Sequence, residues 1–195
     1  MPMKALGSAA AVLCAAFVAA TVQAAEALPD LGPAQPFALA TAAGGRLALA
    51  ELRGKVVLLA FIYTGCTDVC LTETAKMVTI QNRLGADFAD KVHFLSVTMD
   101  PEADTGDALA AYARRFGARA QGWTFLTGTT DEVRRVARNY GVAFRKGSGT
   151  EVEHNTLASI IDAAGELRVQ YMGVEFDPDE MLADLRGLVR EGAGH

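Results

Sequence analysis

Cys66 and Cys70 stand four apart in Cys66-Thr67-Asp68-Val69-Cys70, directly after the apolar run Lys55–Tyr63, and His154 stands alone far downstream in Glu153-His154-Asn155. Two thiols one helical turn apart form a soft chelate that a distant imidazole can close. The same thiols can instead join as a disulfide. Residues at i and i+4 on a helix have Cβ atoms roughly 5–6 Å apart, whereas a relaxed disulfide prefers about 3.5–4.5 Å. The spacing is therefore easier to span through a metal ion than through a bond. Two sulfurs and one nitrogen select Cu(I) first, with zinc, which ordinarily takes a fourth ligand, as the alternative. A structural or redox-active disulfide with His154 merely nearby is the competing use of the same residues. At the start of a helix, unpaired amides favour the thiolate and lower a cysteine's pKa. His93 lies inside an apolar strand and is expected to be structural, and His195 to be disordered.

The elements that must position these groups are legible from periodicity. Lys55–Tyr63 is apolar on both faces, as a central parallel strand should be, and a helix from Val69 to Leu84 follows, stopped by Gly85. Val92–Thr98 reads as a second buried strand. Asp104 is placed to cap the next helix, where Leu109, Tyr112, Ala113 and Phe116 share one stripe before Gly117. Trp123–Thr127 is a short strand, and Thr129-x-x-Glu132 is a capping box for a helix carrying Val133, Val136, Ala137 and Tyr140. Phe37–Leu39 and Arg46–Leu49 flank Gly44-Gly45 as an N-terminal hairpin. Thr156–Asp162 and Leu167–Met172 form a second hairpin, and Asp177-Pro178 opens a final helix. Arg145–Gly149 reads as a flexible arm able to carry His154 to the thiols. This order describes an α/β fold, a mixed sheet with helices on both faces and an added N-terminal hairpin, in which ligands sit at the carboxyl ends of the parallel strands. Cys66 and Cys70 fall there.

Residues 1–24 have the pattern of a leader: Lys4 is the only charge, Ala5–Val22 is apolar, and Val22-Gln23-Ala24 suits cleavage after Ala24. An uncleaved membrane anchor is the alternative, because the apolar stretch nearly spans a bilayer. Residues 25–195 then form one domain. Removing the leader removes Cys14 and leaves one close cysteine pair in an exported chain, where disulfides are permitted. The formal net charge is −5. No basic patch points to nucleic acid, and an acidic surface suits a cationic partner or simple solubility.

With Cys66 to Cys70 in Phe61-Ile62-Tyr63-Thr64-Gly65-Cys66-Thr67-Asp68-Val69-Cys70, the stretches Ser96–Thr105, Gly122–Gly128 and Val152–Asn155 complete a pattern that resembles the SCO/SenC family of copper proteins. The resemblance covers most of residues 30–190. It implies a thioredoxin-like fold, copper, as Cu(I) or Cu(II), held by Cys66, Cys70 and His154, and an outer or auxiliary role for Asp68. It further implies a periplasmic metallochaperone, soluble or tethered to the inner membrane. Such a protein delivers copper to, or prepares, the dinuclear copper site of a cytochrome c oxidase. Its partner would be the copper-accepting subunit of a terminal oxidase or another periplasmic copper or thiol protein. Two departures stand out: family members usually carry proline after each cysteine, and this chain has Thr67 and Leu71. The missing prolines remove rigidity, which bears on redox potential and copper affinity more than on ligand identity.

A thiol–disulfide oxidoreductase cycling Cys66 and Cys70 to reduce exported partners is the second reading. Three residues between the cysteines, and no proline in Val142–Asp162, set the chain apart from thioredoxin-type reductases. A peroxidase reading rests only on Thr67-x-x-Cys70 and is opposed by Tyr63, where that loop carries proline.

Overall fold

A computed structural model describes residues 28–147 and 151–193. The leader expected over 1–24, and His195, lie outside them.

Val56–Ile62 (β3) and Val92–Thr98 (β4) pair in parallel, and every residue of both is buried. Their unbroken Val, Leu, Ile and Phe content suits strands covered on both faces. Trp123–Thr127 (β5) continues the parallel set beside β4. On the other flank Leu157–Ile161 (β8) runs antiparallel to β3, and Leu167–Met172 (β9) antiparallel to β8. The hairpin Ala38–Thr41 (β1) and Arg46–Ala48 (β2) joins through β1 to β5, giving the order β2-β1-β5-β4-β3-β8-β9. A one-turn helix, Asp87–Asp90 (α2), leads into β4.

Val69–Leu84 (α1), Gly106–Phe116 (α3) and Pro178–Gly192 (α5) pack together: Thr74 meets the Tyr112 hydroxyl at 2.8 Å, and the Lys76 ammonium reaches the Val174 and Phe176 carbonyls before α5. Thr130–Asn139 (α4) opens with the expected capping box, Thr129 to Glu132. Successive residues of β9 show that the sheet is covered twice. Tyr171 donates to Asp184 of α5 at 2.5 Å, whereas the Gln170 amide donates to the Tyr140 carbonyl at the end of α4. Arg168 ties the entering segment down, donating to the Leu28 and Pro29 carbonyls while paired with Asp162 and Glu191. No helix among the described residues is long and apolar enough to cross a membrane.

Two expectations need correction. Asp104 does not cap α3; Thr105 does, its hydroxyl accepting from the Ala108 amide at 3.2 Å. The described part of the arm before His154 belongs to a two-stranded ribbon, Phe144–Lys146 (β6) against Val152–His154 (β7), because these segments pair with each other in place of the main sheet; Ser148 and Gly149 of the expected arm lie outside the described residues.

His93 is structural, as expected. Its Nε2 lies 2.9 Å from the Thr124 hydroxyl and its Nδ1 is buried without a partner. Burial, with the Lys55 charge second, lowers its pKa to about 4. The unfolded chain binds this proton more readily, so the stability His93 contributes is complete above about pH 6.5 and is lost as pH falls towards 4. Urea unfolding at pH 7, 5.5 and 4.5 should show His93→Gln losing about 2 kcal/mol less than the parent over that span. An equal loss in both proteins would show that another group carries the acid sensitivity.

Candidate metal and dithiol site

The chain leaves β3 at Ile62, turns through Thr64–Asp68 and enters α1 at Val69. Asp68 occupies the N-cap position without accepting a capping bond. The Cys66 sulfur accepts from the Cys70 amide instead, at 3.4 Å. Cys66 therefore lies in the loop and folds back over the helix start, so the pair is not a helical i, i+4 pair as expected from spacing. Both cysteines are free, with Cys66 6% exposed and Cys70 0%.

His154 ends β7 opposite Phe144 of β6. Its Nε2 is 3.9 Å from the Cys70 sulfur and its Nδ1 is 3.1 Å from the Asn155 carbonyl. With the proton on Nδ1 donated to that carbonyl, the Nε2 lone pair faces the thiol. Tyr63 meets the imidazole edge to face, with centroids 5.9 Å apart. Asn155 anchors the ribbon base: its side-chain oxygen accepts from the Ala143 amide at 2.7 Å and its amide donates to the Gly141 carbonyl at 3.0 Å. Lys146 holds the ribbon to the loop after β4 through Asp100, 3.4 Å away, and Glu102, 3.0 Å away.

Between the ribbon and the thiol loop opens a cleft of about 590 Å³, lined by Tyr63, Cys66, Asp68, Glu151, Glu153 and His154 among others. Cys66 faces this cleft and Cys70 sits behind it. Asp68 is exposed on the rim. No three metal-binding side chains among the described residues already form a closed cage. The donor set nevertheless fits a soft ion. A sulfur and a nitrogen sharing one ion at about 2.3 and 2.0 Å and a trigonal angle lie about 3.7 Å apart, close to the Cys70–His154 separation.

The electrostatics reverse one expectation. Burial, with the neighbouring Cys66 thiol second, pushes the Cys70 thiol well above its ordinary range. The helix start does not lower it, because Cys70 is inside the protein and its amide is turned to Cys66. One turn on, Glu73 is fully buried with both carboxyl oxygens unpartnered, and burial raises its pKa to about 8. Sequence reasoning passed over Glu73, although it lies on the buried stripe Cys70, Thr74, Met77, Ile80 and Leu84. A carboxylate on an apolar helical face is the signal that could have found it. The roles of Tyr63 and Lys146 left no such mark.

A model of the SCO1/SenC family matches residues 27–190. The chain belongs to the SCO1/SenC family. It is 30% identical over 156 residues to the SCO1 protein homolog of Bacillus subtilis, covering 78% of this chain and 80% of that protein. It is 32% identical over 156 residues to the human mitochondrial SCO1 homolog, covering 77% of this chain and 50% of the relative, so it spans about half that protein's length. Among solved structures it resembles BsSco, described as a member of the Sco family of cytochrome c oxidase assembly proteins with a disulfide switch. That match has a TM-score of 0.73 and 28% identity over 84% of this chain and 97% of the other. It also resembles Bradyrhizobium japonicum ScoI with copper bound, with a TM-score of 0.69 and 28% identity over 80% and 99%. The thioredoxin-like α/β sheet expected from the family resemblance is the fold observed.

Glu73 generates a prediction of opposite sign to that of His93. Its folded pKa lies above the unfolded value, so its contribution to stability is present at low pH and is lost as pH rises from about 4.5 towards 8. Glu73→Gln should be more stable than the parent at pH 8, by roughly 2–4 kcal/mol, and little changed at pH 4.5. A variant no more stable at pH 8 would show that the carboxylate is compensated in solution.

Proposed function

We propose that this SCO1/SenC protein is a periplasmic copper carrier. It binds copper through Cys66, Cys70 and His154 and delivers it to, or prepares, the dinuclear copper site of a cytochrome c oxidase. The observation that carries the reading is the 3.9 Å approach of His154 Nε2 to the Cys70 sulfur across 84 positions of sequence. The copper-bound ScoI structure and the oxidase-assembly description of BsSco support it.

Each residue has a distinct task. Both thiols give up their protons on binding, so affinity rises with pH. The buried Cys70 stays behind the cleft, while Cys66 meets what enters it. A recipient's donor atoms arrive through the cleft, so Cys66 exchanges first, His154 withdraws with its ribbon, and Cys70 lets go last. The acidic rim of Asp68, Glu151 and Glu153 favours a cation or a positively charged partner face.

Copper titration of the reduced protein, with a Cu(I) chelator in competition, should give one ion per chain. Cys66→Ser and Cys70→Ser should each lose at least about a hundredfold in affinity, and His154→Ala about tenfold, since neutral nitrogen is the weaker partner for a soft ion. Undiminished binding without either cysteine would end the copper reading. Unchanged binding in His154→Ala would remove the third ligand.

The exposure difference between the thiols favours a second reading, that of a thiol–disulfide oxidoreductase for exported partners. The Cys66 thiolate attacks a partner disulfide, one partner sulfur leaves as thiolate, and Cys70 then displaces the partner from the mixed disulfide. The partner's disulfide gains two electrons and the Cys66–Cys70 pair loses them. Incubating Cys70→Ser with a disulfide-bonded substrate should trap the mixed disulfide at Cys66, whereas Cys66→Ser should trap none. Equal trapping by both variants would refute this division of labour.

A further inference from the structure

Asp104 carries a carboxylate whose place is explained by neither helix capping nor ion pairing. It is 1% exposed, and all of its hydrogen-bond partners are neutral. Its two oxygens accept from the Thr64 amide at 3.2 and 3.0 Å, and the hydroxyls of Thr64 and Thr98 donate to it as well. The Thr98 hydroxyl in turn accepts from the Asp100 amide at 3.0 Å. One side chain thus joins the loop after β3, which carries the thiols, to the end of β4 and the loop that follows it.

A buried carboxylate costs several kcal/mol in lost hydration unless its lone pairs are filled. Here they are filled by donors from the two segments that meet at the thiol site. Thr64 stands two residues before Cys66, and the Cys66 amide closes the intervening turn on the Tyr63 carbonyl at 3.2 Å. Fixing Thr64 therefore fixes where Cys66 begins. The loop and the first turn of α1 contain no proline, with Thr67 and Leu71 following the two cysteines. The loop's rigidity must come from elsewhere, and the Asp104 bonds are tertiary constraints in the right place.

We propose that Asp104 is a positioning residue for the dithiol: through Thr64 it holds Cys66 at the distance from Cys70 and His154 that both copper binding and disulfide formation require. The copper half of this inference rests on the copper-carrier reading; the dithiol half does not. Asp104 touches neither sulfur, so its effect is geometric, and loosening the loop should alter the pair's equilibrium in the metal-free protein.

Two measurements on the full chain test it. One is the thiol–disulfide midpoint in glutathione buffers without copper, where glutathione disulfide takes up the two electrons and the two thiol protons and becomes two glutathione thiols. The other is Cu(I) affinity against a chelator. Asp104→Ala should shift the dithiol equilibrium at least about tenfold, or about 30 mV, and weaken copper at least about tenfold. Thr64→Val, which keeps the backbone bond and loses the hydroxyl, should move both in the same direction by less. Thr64→Ser, which restores the hydroxyl, should return both to the parent values. A folded Asp104→Ala protein with lowered thermal stability but parental midpoint and affinity would overturn the proposal. Should Asp104→Ala fail to fold, parental values in Thr64→Val would overturn it equally. Were the parent to bind no copper, the copper reading would fail while the midpoint still decided the role of Asp104.

Discussion

Parallel pairing of β3 with β4, in register from Val56 opposite Val92 to Ile62 opposite Thr98, is the constraint on which the site depends. Both strands are buried at every position, so neither has a solvent face towards which it could slip. Because they run in the same direction, the segments that follow them leave the sheet side by side. The Met99 amide continues the contact, donating to the Ile62 carbonyl at 2.7 Å. The loop with the thiols and the loop from Met99 to Thr105 are neighbours for that reason alone. Asp104 can join them only because the ladder has already brought them together.

The two thiols then diverge in character although they are close in sequence. Cys66 lies at the cleft, where its sulfur accepts the Cys70 amide hydrogen bond. Cys70 lies behind it in apolar surroundings with a buried carboxyl group one turn away, and both features favour the protonated thiol. A pair built this way has one sulfur ready to meet a partner and one that stays with the protein. The proposed copper transfer and the proposed disulfide exchange would both use that asymmetry.

His154 is held by a different class of interaction. Its ribbon is tied down by Asn155, by the Lys146 ion pairs and by the packing of Phe144 and Val152. Ion pairs made by so exposed a lysine add little, and a short ribbon outside the main sheet opens at little cost compared with the core. The sulfurs are therefore set by the rigid sheet, while the nitrogen is set by an element that can withdraw. That division suits the proposed role of His154 as a third ligand that releases its cargo.

The amino-acid sequence by itself determined the strands, because β3 and β4 announce themselves by unbroken apolar runs. It also determined most helix boundaries, through Thr129 with Glu132, Asp177 with Pro178, and Gly117. It named Cys66, Cys70 and His154 as the residues to watch, since few side chains bind soft metals and these three had no competitors in a plausible place. The tertiary structure alone decided how they meet. Spacing along the chain says nothing of burial, so the raised pKa of Cys70 contradicts what its place at a helix start suggested. The ribbon of β6 and β7 was illegible because its strands are too short to show a period. Asp104 read as a helix cap because local pattern cannot see Thr64, forty residues earlier, and only the folded sheet brings the two together.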